Sequence, residues 1–192
     1  MILLAALLLG LVSGWAWAHS QRRSYRAPEL KVVWLVPVAL LPQLVLAYLP
    51  SAAQLTAGAA SVALPLSLVL FLAFVWVNRG LAGMPVLLIG LILNLLVISS
   101  NGGWMPISPA TAAHLPGGGA AQAAAPGSRF GQKDILLLPE NTRLEFLSDR
   151  WLLPDWFHYA VAFSLGDVLV AIGAFWLLAS PRPLPNQQRS GP

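Results

Sequence analysis

Cysteine is absent from the 192-residue chain, which excludes disulfides, thiolate catalysis and cysteine-based metal sites. Charge is scarce as well: 9% of residues are charged, against 57% hydrophobic and a mean hydropathy of +0.72. That balance is too apolar for an ordinary soluble domain and reads as an integral membrane protein. The 3 histidines are far apart, and no His-x-x-x-His or Glu-x-x-His pattern gives metal-ligand spacing. Neither a metal nor a cofactor is implied. A G-x-S-x-G elbow, a phosphate loop and a dinucleotide fingerprint are all missing. The net charge of +4 comes from basic residues that are scattered or flank hydrophobic runs, where they orient spans and do not point to nucleic acid.

Crossing a hydrocarbon core takes roughly 20 mostly apolar helical residues. Five segments qualify: Ile2 to Ala18, Val32 to Leu49, Ala59 to Val77, Leu81 to Ile98 and Trp156 to Ala179. The expected fold is therefore all-α, a transmembrane bundle of five spans forming one domain over residues 1–180, with a tail at 181–192. Pro37, Pro42 and Pro65 fall inside spans two and three and predict kinks. In "GWAWAHS", Ala16 and Ala18 resemble a signal-peptidase site. No basic stretch precedes the run, however, and cleavage would strand Arg22, Arg23, Arg26 and Lys31 outside, so the first span is expected to stay.

Loop one, "HSQRRSYRAPELK", is strongly basic, Pro50 to Gly58 is uncharged, the third loop carries Arg79, and the tail carries Arg182 and Arg189. Alternate loops are thus basic and face the cytoplasm. This predicts a multi-pass membrane protein with its N-terminus outside, its C-terminus cytoplasmic, and the segment 99–155 outside. Trp15, Trp17, Trp34, Trp76, Trp104, Trp151, Trp156 and Trp176 all fall near predicted span ends, as interfacial indoles do. Within the outer segment, Pro109 to Ser128 has no periodicity and reads as a mobile loop. Arg129 to Pro154 mixes charged and apolar residues and is expected to fold. Either Ile135 to Leu138 and Arg143 to Leu147 form a hairpin around "PENT", or a surface helix starts at Thr142 with Glu145 in a capping box.

The polar positions inside apolar runs are where function must be sought. "FSLGDVLVAIGAF" sets Asp167 in the last span, where a charge near the bilayer centre costs about 2.5 to 3.5 kcal/mol. Gly166 and Gly173 share one face and permit close approach of another helix. Asp167 lies at the edge of that stripe, so it is expected to hydrogen-bond across a helix interface, with Asn94 as the partner inside this chain. The competing readings make Asp167 a proton or ion site, or a catalytic group. At the end of span four, Ser100, Asn101, Gly102 and Gly103 form either a plain helix stop or a corner whose amides hold an anion or lipid headgroup. His158, with Asp149 and Asp155 near it in sequence, is the candidate for acid/base work on the outer face.

"NGGWMPIS", "TRLEFLSDRWLLP" and "FSLGDVLVAIGAF" together resemble an uncharacterised family of small bacterial five-span integral membrane proteins, a domain of unknown function. The resemblance covers nearly the whole chain and is most specific from Asn101 to Phe175. It implies a bacterial plasma membrane and lends no catalytic residue. Where the family pattern has a basic residue followed by His, "QKD" has Lys133 followed by Asp134, so chemistry resting on that His is lost here. The expectation is a non-enzymatic accessory, scaffold or lipid-contacting protein whose partners are membrane lipids and another membrane protein or a second copy. The alternatives are a proton-coupled transporter or channel using Asp167 and Asn94, and an outward-facing enzyme on a lipid-linked substrate using His158.

Overall fold

The computed structural model describes residues 2–48, 57–121, 124–131, 133–154, 157 and 160–180. Five long helices form: α1 (Ile2–Ser20), α2 (Leu35–Tyr48), α3 (Ala57–Val77), α4 (Met84–Ser100) and, after a four-residue α5 (Pro109–Ala112), α6 (Leu165–Ala179). Each is apolar all round, so its burial comes from close helix packing and not from an amphipathic stripe. α6 packs between α1 and α4, and α3 between α4 and α2. Among the described residues, α1 alone is long and apolar enough to cross a membrane; the apolar parts Leu35–Val45, Ser61–Val77, Met84–Ser100 and Leu165–Ala179 are shorter.

Glycine sets the packing distance. Gly90 meets the backbone of Gly166, and Gly83 that of Gly173, so α4 and α6 run antiparallel with their backbones in contact at two levels. A methyl group at Gly90 would lie 2.7 Å from the Gly166 carbonyl oxygen, and one at Gly173 would lie 2.7 Å from that of Gly83. Gly83 also takes φ 82° at the start of α4, a conformation costly for any other residue, and Pro85 follows in the first turn where its missing N–H is not needed. α1 approaches α6 in the same way, Gly10 against Phe175 and Gly14 against Leu178.

The ends of the bundle differ. At one end, the Asn78 side chain accepts from Lys31 N (2.8 Å) and donates to Lys31 O (3.1 Å), gripping the loop after α1. Next to that grip Val32 is held at φ 48°, a strained value for a β-branched residue. Tyr25 donates to Leu178 O (3.0 Å) at the same end. At the other end the chain between α4 and α6 builds a cap. β1 (Met105–Ile107) pairs in parallel with β3 (Asp134–Leu136), which pairs antiparallel with β2 (Arg129–Phe130). A ribbon of β4 (Trp151–Leu152) and β5 (Ala162–Phe163) leads into α6.

Several expectations are corrected. The fold is mostly helical and carries two small sheets, so it is not all-α. The last helix begins at Leu165, because Ala162 and Phe163 just before Ser164 pair as a strand with β4, and this puts Asp167 in the first turn of α6; Trp156, the expected start, lies outside the described residues. α2 begins at Leu35 and α4 at Met84, each three residues later than expected, whereas α1 and α4 each run two residues further, to Ser20 and Ser100. Pro42 and Pro65 lie inside α2 and α3, as expected of prolines tolerated within the spans. The stretch expected to be a mobile loop contains α5 and packs Ala112 and Ala121 on Ile107 and Leu136 as a small core. Neither the hairpin nor the helix at Thr142 forms: the first arm pairs with β1 and β2, and single helical turns occupy Pro139–Asn141 and Glu145–Leu147. Trp104 is buried in the cap beneath the Arg129 guanidinium, 4.2 Å from its ring centre, and is not interfacial.

Replacing Gly90 or Gly173 by Leu should overpack the α4–α6 seam and cost about 1–3 kcal/mol or more, read as a lowered Tm in detergent. Gly119→Ala, which faces open space, should leave Tm unchanged. A Gly90→Leu protein melting with the native one would overturn the close-approach account.

Candidate functional site

The start of α6 meets the last turns of α4 in a closed polar ring. Ser164 caps α6: its hydroxyl accepts from Asp167 N (3.1 Å), and the Asp167 carboxylate accepts from Ser164 N (3.3 Å). This reciprocal arrangement satisfies amides that a helix start leaves without partners. Asn94 completes it, donating from Nδ2 to Asp167 Oδ1 (2.9 Å) and accepting at Oδ1 from the Ser164 hydroxyl (3.0 Å). A Cβ on Gly166 would collide with Asn94 Oδ1, so the missing side chain at Gly166 is what admits the amide. Ser164 and Asn94 are buried, and the ring answers every polar atom it takes from water.

A second cluster joins the cap to this ring. Lys133, just before β3, reaches Asp149 Oδ2 at 2.5 Å and lies 3.8 Å from Asp134 Oδ1. Asp149 is 1% exposed, while its amide donates to Pro106 O (3.1 Å), so the pair fastens β1, β3 and the approach to β4 together. Burial raises the Asp134 carboxyl to about 7, against the pull of Lys133 and with repulsion from Asp149 and Asp167 added. Burial likewise raises Asp149 to about 6, opposed by Lys133 and assisted by Asp167. For Lys133 the partial loss of solvent works against the ammonium, but the carboxylates of Asp149, Asp134 and Asp167 outweigh it and hold the half-exposed group above its usual range. Oδ1 of Asp134 and Oδ1 of Asp149 are buried with no hydrogen-bond partner among the described residues. Three carboxylates therefore surround one ammonium.

Of the residues expected at sites, Asp167, Asn94 and Gly166 come together in the ring, and Gly173 meets Gly83 further along the same seam. At the α4 corner, Ser100 bonds back to Leu96 O (2.6 Å) and Gly103 N closes on Ile98 O (2.9 Å). Gly102 and Gly103 take φ 74° and 87°. Asn101 donates to Arg143 O (2.8 Å) and accepts from Arg143 N (3.0 Å), so the corner works as a clamp on the cap. Asp149 is joined by Lys133; Asp155 and His158 lie outside the described residues. Among the described residues no group of three His, Cys, Asp or Glu side chains is placed to hold a metal ion. Lys133 and Asp134 were not expected at the site from residue spacing. The available signal was a Lys-Asp pair directly before the apolar run Ile135 to Leu138, where charges have to be paired.

A family model described as a family of unknown function, DUF5317, matches residues 28–179. The chain belongs to this family. No curated protein and no solved structure matches it. The matched region of this DUF5317 protein contains Asn94, Lys133, Asp134, Asp149, Ser164 and Asp167, so the ring and the cap cluster both belong to the family domain. α1, which packs on α6 from outside, precedes the matched region.

Asp167→Asn should lose less stability than Asp167→Leu, because its one carbonyl oxygen still accepts from either Ser164 N or Asn94 Nδ2, whereas Asp167→Leu removes both acceptors and should cost about 1–3 kcal/mol by leaving the buried Asn94 amide without its partner. Equal denaturation of both variants and the native protein in detergent would remove the ring's structural role. For pH, Asp134 at about 7 and Asp149 at about 6 stand above the ordinary 3.8, so the folded chain binds more protons than the unfolded one between about pH 4 and 7. Stability should fall as pH rises through that window. Lys133→Met should be more destabilising at pH 8, where it strands the buried Asp149 carboxylate, than at pH 5, where the carboxyl takes a proton; melting curves at both pH values decide it.

Proposed function

We propose that this DUF5317 protein is a multi-pass integral membrane protein acting without catalysis, as an accessory or scaffold subunit in contact with lipid. In this reading the five long helices span a bacterial plasma membrane, with the N-terminus and the cap outside and the basic loop cytoplasmic. The observation that carries it is where the charge lies. Those helices hold a single Asp, Glu, Lys or Arg side chain among them, Asp167, and it sits in the first turn of α6 at the cap end. Between the ends, large apolar side chains face outward, among them Leu4, Leu8, Val69, Ile89, Leu96 and Ile172. An apolar belt of that extent suits hydrocarbon and not water.

The two ends match the two faces of a membrane. Trp15, Trp17, Trp34, Trp76 and Trp176 are exposed at the end that carries Arg22, Arg23, Arg26, Lys31 and Arg79. Indoles beside basic residues suit a cytoplasmic interface. A scaffold role is favoured over the transporter reading because Asp167 and Asn94 are engaged with each other and with Ser164. The enzyme reading rests on His158 and has no further support.

The absence of cysteine makes topology directly measurable. Asn141→Cys in the cap should react with a membrane-impermeant maleimide on intact cells, and Ser24→Cys in the basic loop only after permeabilisation. Labelling of both without permeabilisation would overturn the spanning reading, and the reverse pattern would invert the orientation.

A further inference from the structure

The α1–α6 seam opens at the cap end into two cavities that share Ile2. One, of about 350 Å³, is an apolar groove lined by Ala5, Ala6 and Leu9 of α1 and Ile172 and Phe175 of α6. The other, of about 240 Å³, has Phe163 and Val170 on its walls but also exposes the side chains of Lys133 and Asp167. An apolar slot leading to a chamber with one anion and one cation has the layout of an amphiphile site.

We propose that this mouth binds a zwitterionic phospholipid with a primary ammonium headgroup, of the ethanolamine type, with an acyl chain in the groove and the headgroup in the chamber. The proposal rests on the membrane reading above and names the lipid that it contacts. Charge complementarity selects the headgroup. Asp167 is held by Asn94 and Ser164, both uncharged, so no cation within the ring neutralises it. Lys133 is already shared between Asp149 and Asp134, so the carboxyl groups at this end outnumber the one ammonium. The mouth therefore attracts a cation. A primary ammonium donates hydrogen bonds to the Asp167 carboxylate, which a quaternary choline cannot do. The Lys133 side chain remains 45% exposed, with ammonium protons left to meet the headgroup phosphate. A headgroup with net negative charge gains the same phosphate contact but meets the excess of carboxylates.

The test is native mass spectrometry of the full chain in detergent, titrated with phosphatidylethanolamine, phosphatidylcholine or phosphatidylglycerol of matched acyl chains. One ethanolamine lipid should be retained at least about tenfold more strongly than either competitor. Asp167→Asn, which removes the charge while keeping one of the two ring acceptors, should erase the headgroup preference, and Ala6→Trp, which fills the groove, should reduce retention of all three lipids. Equal retention of the three lipids by the native protein, or an ethanolamine preference that survives Asp167→Asn, overturns the proposal. Carbonate extraction of native membranes separates the two levels. A protein that stays in the membrane but shows no preference refutes only the lipid assignment, whereas one released by carbonate refutes the spanning reading and this proposal with it.

Discussion

Contact between the backbones of α4 and α6 is the constraint on which the rest of the structure depends. Gly83 and Gly90 on one helix face Gly173 and Gly166 on the other, and the bare surface at Gly166 also admits the Asn94 amide. Without that approach Asn94 could not reach Asp167 and Ser164, and the start of α6 would lose the ring that closes it. The seam then fixes the neighbours, because α1 packs on the other side of α6 and α3 on α4. In helices this apolar, burial against water supplies little orientation, so shape and a few hydrogen bonds decide the arrangement.

Side-chain amides do the fastening at both ends. Asn78 takes the N–H and C=O of Lys31, and Asn101 takes those of Arg143, each adopting the two-way pairing that a strand neighbour would offer. Asparagine at a helix end suits this because it carries both a donor and an acceptor with no net charge to desolvate. The cap is held separately by the Lys133–Asp149 pair, where the opposite charge of each partner offsets part of the other's burial. These charges sit where cap and bundle meet, so the firmness of docking and the electrostatics of the mouth are linked through the same side chains.

The apolar runs, the helix-stopping glycines after Asn101 and the small-residue stripe of α6 follow from the sequence by itself, since each depends on residues close together in the chain. The pairing of Asn94 with Asp167 was within reach of the same reasoning, because two isolated polar side chains in apolar helices have few partners available. Only the tertiary structure decided where α6 begins. Its apolar run continues upstream in composition, but β5 pairing with β4 and the cap at Ser164 end the extended segment before Leu165. Tertiary structure likewise decided that Lys133 meets Asp149 across a stretch of irregular backbone with no period to read. It also turned the Ala-rich loop into part of a small core, because Ile107 and Leu136 stood where Ala112 and Ala121 could cover them. The physical reason is common to all three: local periodicity records which face a helix buries, whereas strand partners, ion pairs and loop cores depend on distant segments closing on one another.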